Sequence, residues 1–175
     1  MQKILYTAEA VVEGGREGHA RSLDGRLVVY LSVPEATGGS AEPGTNPEQL
    51  FAVGYAACFQ SALLSVASGQ KLDASESQII CRVGFGPTGH GGFGLTLALD
   101  LHAPFLTREQ GADLMARAHE RCPYSHATCG NIDVALSVDG VPQDRGEAAV
   151  HLVRDEPGTG SPKCPRHDRS ARSRQ

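Results

Sequence analysis

The chain has 175 residues, of which 40% are hydrophobic and none is Trp, and its formal net charge is −4. That length suits one domain with a core of its own, and the acidic balance excludes a nucleic-acid or anionic-membrane surface built on bulk charge. Five cysteines at 58, 81, 122, 129 and 164 are an odd number, widely spread, and do not read as a secreted disulfide framework. A cytoplasmic protein with mostly reduced thiols is the expectation. The opening residues are not expected to form a signal peptide, because Glu9 interrupts the apolar run and no cleavage pattern follows.

In chain order, residues 3–13 are rich in apolar and β-branched types and predict a strand. Gly14-Gly15 turns it, residues 16–22 read as a polar loop, and Asp24-Gly25 is a turn signal. Residues 26–33 predict a second strand, and the Gly/Pro/Glu-rich residues 34–44 predict a loop. A helix follows from Asn46 to about Ser68-Gly69, with Thr45 or Asn46 as its cap and Pro47 at the first helical position. Residues 78–85 predict a strand, 86–92 a flexible connection, and 93–102 a strand that alternates apolar and small or polar residues. Thr107-Arg108-Glu109-Gln110 is a capping box opening a helix that Pro123 stops after Cys122. Residues 131–138 alternate again and predict a last strand.

The fold class is therefore α+β, with antiparallel strands in the order β-β-α-β-β-α-β packed around a buried central helix. The working domain spans residues 1–139. Residues 140–175 are rich in Gly, Pro and Arg, carry little that could pack, and predict a disordered tail in which Cys164 is a bystander. Its basic end, residues 166–174, is expected to be a solvated extension.

The chemistry centres on the helix. From Leu50 to Phe59 every residue is apolar or Gly, which predicts a helix buried on all sides with Cys58 inside it. Ten such residues fall short of the roughly 20 needed to cross a bilayer. Most buried thiols are inert packing, and burial disfavours the thiolate, so a reactive Cys58 needs a fixed cation. Arg16, in a Gly-flanked loop, is the candidate, with Glu48 as the carboxylate that holds it. Cys122, at a helix C-terminus, is a poor first nucleophile but a suitable second partner for an oxidised sulfur. Gly84-Phe85-Gly86-Pro87-Thr88-Gly89 matches G-x-G-x-x-G, yet a strand follows it rather than a helix, so it is rejected as a nucleotide site. His119, Cys122, His126 and Cys129 are zinc-ligand types, but Pro123 breaks the helix between them, leaving a zinc or thiol module as an alternative of another class. Glu48 and Cys58 lie ten residues apart, about 15 Å along one helix. Two copies of the helix crossing antiparallel at Gly54 would bring them level, which predicts a two-fold dimer.

Taken together, Gly15-Arg16-Glu17-Gly18 with Ser22 and Asp24-Gly25, then Asn46 to Ala52, Gly54 to Phe59, Cys122-Pro123-Tyr124-Ser125 and Gly130-Asn131 resemble the organic hydroperoxide resistance proteins of the OsmC/Ohr superfamily. The resemblance covers about residues 1–139. It implies a metal-free, cofactor-free cysteine peroxidase working as an intertwined homodimer, with Cys58 peroxidatic, Cys122 resolving, and Arg16 and Glu48 positioning the thiolate. It implies reduction by a lipoyl-type dithiol on a lipoylated protein. Leu50, Phe51, Tyr55 and Phe59 would favour a bulky alkyl hydroperoxide. An OsmC-type enzyme with a different peroxide preference is the near alternative. Cys129 departs from the family pattern, where a basic residue is expected.

Overall fold

The computed structural model describes residues 3–40 and 42–143. The chain divides into two compact units, Met1–Phe51 and the remainder from Ala52 onward.

The first unit is a three-stranded antiparallel sheet of β1 (Ala10–Glu13), β2 (His19–Ser22) and β3 (Val28–Tyr30). β2 occupies part of the segment expected to be loop. It was not legible because its residues, His19-Ala20-Arg21-Ser22, alternate too weakly to signal a strand. β1 is shorter than the expected 3–13, with residues 3–9 outside any strand. The five residues between β1 and β2 include a 3₁₀ turn at Gly15–Glu17. Gly14 and Gly15 have φ of 75° and 59°, in the left-handed region. A Cβ on Gly18 would fall 1.7 Å from the Glu13 carbonyl oxygen, so no other residue fits there. Few of this unit's apolar side chains are covered. Ala20 and Leu31 are buried, while Ile4, Leu5, Tyr6, Val12, Val28 and Tyr30 are exposed.

α1 (Pro47–Gln70) begins in the first unit and runs on through the second. Asn46 caps it, its Oδ1 accepting from the Gln49 N–H at 2.8 Å. The helix is not buried all round, contrary to the sequence expectation. Tyr55, Phe59, Leu63, Val66 and Ala67 form one buried stripe at helical spacing, whereas Val53 is 70% and Leu64 40% exposed. The described residues cover one apolar face of this helix and leave the other open. With 24 residues, α1 is long and apolar enough to pass for a membrane span by length and composition, so the ten-residue argument does not decide the matter. Its buried stripe and the Gln60 amide, which donates to the Ser77 carbonyl at 2.6 Å, are those of a core helix.

The second unit holds a four-stranded sheet in the order β4 (Gln78–Pro87), β5 (Phe93–His102), β6 (Val134–Val138), β7 (Val141–Pro142). β4 and β5 form the expected hairpin, pairing Gln78 with His102 through Pro87 with Phe93. β6, however, pairs parallel to β5, with Leu99 opposite Leu136, which corrects the all-antiparallel expectation. The cause lies in the connection. α2 (Arg108–Arg121) and α3 (Pro123–Thr128) carry the chain back before β6 starts, and such a crossover permits parallel pairing. α2 lies close on the sheet at Gly111, where a Cβ would meet Val138 Cγ1 at 3.1 Å and Leu101 Cδ2 at 3.4 Å. The capping box is formed, Thr107 Oγ1 accepting from Gln110 N–H at 3.3 Å and Gln110 Oε1 from Thr107 N–H at 2.9 Å. Thr107→Ala is expected to cost about 1 kcal/mol, read from chemical denaturation. β7 begins at residue 141, past the expected domain end at 139. Residues 144–175, including Cys164 and the basic end of the expected tail, lie outside the described residues.

Candidate active site

Two constellations stand out, each within its own unit. In the first, the glycine-bounded turn after β1 presents Arg16 to Glu48 in the first turn of α1. The guanidinium grips the carboxylate with both prongs, Nη1 donating to Oε2 at 3.0 Å and Nη2 to Oε1 at 2.6 Å. This planar two-point fit is particular to Arg. The pairing raises Arg16 above its ordinary value, and Arg16 in turn holds the Glu48 carboxyl below the usual carboxylate range. A carboxyl depressed by folding adds stability above its unfolded pKa of about 4.3, and that stability is lost as pH falls through the lower folded value. The fork is therefore intact throughout the neutral range.

In the second unit, Cys58 on α1 and Cys122 between α2 and α3 face each other, with their sulfurs 3.6 Å apart and the Cys122 thiol donating to Cys58. Both are free thiols. Cys122 is fully buried and Cys58 partly exposed. An S–S bond is about 2.05 Å long, so closure asks for a small approach and no refolding. Burial pushes the Cys58 thiol up, the backbone N–H of Tyr124 pulls it down, and the neighbouring Cys122 pushes it up again. The net direction is upward, so within this unit the thiol form is favoured.

Sequence reasoning placed Cys122 at a helix C-terminus. It does end α2, but it also caps the start of α3, with Pro123 at the first position. That cap turns the Tyr124 N–H toward Cys58. A Pro directly after a candidate cap was the signal available in the sequence. Tyr124 is also seated by Gly54. A Cβ there would stand 3.1 Å from Tyr124 Oη and 3.2 Å from Cε2. Gly54→Ala is expected to displace the Tyr124 ring and to destabilise the protein by about 1–2 kcal/mol, seen as a lower thermal midpoint.

The remaining expected site residues divide by burial. Leu50 and Phe51 are half-buried at the start of α1, while Tyr55 and Phe59 are fully buried and packed edge to face at 6.4 Å. The zinc-type residues are not gathered. Among the described residues no group of three or more His, Cys, Asp and Glu could hold a metal ion, and His126 Nε2 donates instead to the Glu120 carbonyl at 2.7 Å. Cys81 is a free thiol on β4 that burial pushes up. Cys129, at the end of α3, is disulfide-bonded.

A family profile described as "OsmC-like protein" matches residues 38–137. The chain is 48% identical over 138 residues to an organic hydroperoxide resistance protein of Xanthomonas axonopodis pv. citri, covering 78% of this chain and 96% of that one. It is 44% identical over 135 residues to the organic hydroperoxide resistance protein OhrB of Bacillus subtilis, covering 77% and 98%. Among solved structures, it is similar to a putative organic hydroperoxide resistance protein of Vibrio cholerae that has captopril bound in one of its active sites. The TM-score there is 0.75 at 46% identity, covering 81% of this chain and 96% of that one. The crystal structure of Bacillus subtilis OhrB matches with a TM-score of 0.71 at 43% identity, covering 77% and 99%.

Proposed function

The chain belongs to the OsmC-like family, and on that premise we propose that it is a cysteine peroxidase that reduces organic hydroperoxides to alcohols in the response to oxidative stress. The observation that carries this reading is the sulfur pair, Cys58 and Cys122, 3.6 Å apart and both free.

The Cys58 thiolate attacks the outer oxygen of the hydroperoxide. An S–O bond forms as the O–O bond breaks, the alkoxide leaves and takes up a proton as the alcohol, and Cys58 becomes a sulfenic acid. Cys122 then attacks the Cys58 sulfur, water leaves, and a disulfide closes. An external dithiol of the lipoyl type, carried on a lipoylated protein, reopens it by exchange. The protein itself needs no metal or bound cofactor for this cycle. Arg16, held by Glu48, is the cation that offsets the cost of burying the Cys58 anion and steadies the charge passing to the peroxide oxygens. Leu50, Phe51, Tyr55 and Phe59 supply the apolar surroundings that favour a bulky alkyl group.

The open face of α1 and the uncovered apolar side chains of the first unit support a homodimer in which a second copy covers them. Light scattering is expected to give twice the chain mass, and a fully active monomer would contradict the dimer. A reducing cytoplasm, which keeps the thiols ready, is the proposed location.

Steady-state turnover with dihydrolipoamide tests the function. A tertiary-alkyl hydroperoxide is expected to be consumed faster than hydrogen peroxide. Equal consumption of the two would favour the OsmC-type preference, and no consumption of either would overturn the reading. Cys122→Ser is expected to consume about two equivalents of peroxide and then stall, the first forming the Cys58 sulfenic acid and the second carrying it to sulfinic acid, seen in mass spectra.

A further inference from the structure

Three residues before Cys58 and three residues after Cys122, the same two elements are joined a second time. Tyr55 Oη and Ser125 Oγ lie 3.0 Å apart. Tyr55 is 0% and Ser125 2% exposed. Residues three apart on a helix share a face, so Tyr55 and Cys58 address the α3 segment from one side of α1. Thr128 completes the arrangement. Its Oγ1 donates to the Tyr124 and Ser125 carbonyls at 3.1 and 3.2 Å and also hydrogen-bonds the Tyr55 hydroxyl. The Tyr55 ring meets the Tyr124 ring edge to face at 5.7 Å. The turn that carries Cys122 and the Tyr124 N–H is thereby fixed to α1 by a buried hydroxyl bridge as well as by packing.

We infer that Tyr55 and Ser125 are positioning residues of the disulfide-forming step, their hydroxyl bridge holding Cys122 within reach of the oxidised Cys58. The inference rests on the peroxidase reading. In that step the Cys122 sulfur attacks the Cys58 sulfenic sulfur. The S–S bond forms, the S–O bond breaks, and hydroxide leaves with the Cys122 proton as water, so Cys58 is reduced as Cys122 is oxidised. The oxidant was the hydroperoxide of the preceding step. The bridge touches no reacting atom. It acts on the distance that Cys122 must close, and misplacement by about 1 Å can slow a reaction by about two orders of magnitude. Peroxide attack on Cys58 needs no motion of Cys122, so the bridge bears on the second step more than on the first.

The test separates the two steps in the full-length chain. Wild type, Tyr55→Phe, Ser125→Ala and the double variant each receive one equivalent of alkyl hydroperoxide. Peroxide loss, trapping of sulfenic acid by a 1,3-diketone, and disulfide formation are followed in time, and thermal midpoints are recorded alongside. Ser125→Ala is expected to consume peroxide within about twofold of wild type while condensing about tenfold more slowly, with a matching rise in trapped Cys58, and Tyr55→Phe, which also alters the apolar surroundings of the site, is read by the same slowed condensation. Tyr55→Phe also leaves the buried Ser125 hydroxyl short of its partner and loses stability, whereas in Ser125→Ala the Tyr55 hydroxyl keeps its bond to Thr128. In the double variant both hydroxyls are gone, so stability recovers while condensation stays slow. Condensation at the wild-type rate in Tyr55→Phe overturns the inference, and so does recovery of the rate together with stability in the double variant. If wild-type Cys58 is not oxidised by the peroxide at all, the peroxidase reading falls and the inference with it, an outcome distinct from either of those.

Discussion

Cys58→Ser is expected to abolish hydroperoxide consumption, a loss of at least about a thousandfold, or roughly 4 kcal/mol of barrier. The proposed cycle has one electrophile and one first nucleophile, and the second thiol cannot take over. Cys122 is fully buried and cradled between two helices, whereas Cys58 is the partly exposed member of the pair. A serine hydroxyl at position 58 keeps the shape but cannot ionise near neutral pH or be oxidised by a peroxide. The contrast with Cys122→Ser is the informative part. That variant keeps the first chemical event and loses only the exit from the sulfenic acid. Rapid-mixing peroxide assays on the two variants separate them. If Cys58→Ser retains even a tenth of wild-type turnover, the assignment of the nucleophile is wrong.

Arg16→Ala is expected to lower turnover at neutral pH by about a hundredfold, comparable with the removal of one pre-positioned charge donor. Burial pushes the Cys58 thiol up, and the Tyr124 N–H only partly opposes it. The reactive species is the thiolate, so activity rises with pH along the deprotonation of Cys58. In the proposed cycle the Arg16 guanidinium moves that rise to lower pH. Removing it moves the rise to higher pH, and the Arg16→Ala deficit should therefore shrink as the solution is made alkaline. Arg16→Lys is expected to restore little, because an ammonium cannot reproduce the two-pronged grip on Glu48 at 3.0 and 2.6 Å. Glu48→Gln keeps the side-chain shape, removes the anion that fixes the fork, and is expected to cost about tenfold. The pH–rate profiles of these three variants are the check. A profile for Arg16→Ala that superimposes on wild type after scaling would mean that Arg16 does not act on the thiol.

Much of this was written in the sequence by local rules. The Asn46 cap, the Pro47 start, the Thr107–Gln110 box and the alternation of residues 93–102 are signals that act over three or four residues, and the cap, the box and both elements form, although in the strand Phe93 is exposed and Asp100 buried against the alternation. What escaped depends on distant partners. β2 is a strand because β1 and β3 flank it, and its own four residues would not hold it there. The parallel pairing of β5 and β6 follows from where α2 and α3 return the chain. α1 looked uniformly buried because its sequence is apolar on every side, but the described residues bury only the Tyr55–Ala67 stripe. At the site, motif and spacing nominated Cys58, Cys122, Arg16 and Glu48, and the fold joins them as two pairs. The Tyr124 N–H and the Tyr55–Ser125 bridge were missed because Cys122 reads as the end of one helix, while it is also the start of the next.

The proposed cycle turns on one covalent event between two sulfurs that begin 3.6 Å apart. Reduced wild-type protein treated with a single equivalent of alkyl hydroperoxide, quenched with a thiol-blocking reagent and digested, should yield a peptide pair cross-linked through Cys58 and Cys122 and lighter by two hydrogens, with Cys81 still blocked as a free thiol. An intact peroxide with both Cys58 and Cys122 blocked, or a cross-link that joins Cys58 to any other cysteine, would contradict the account.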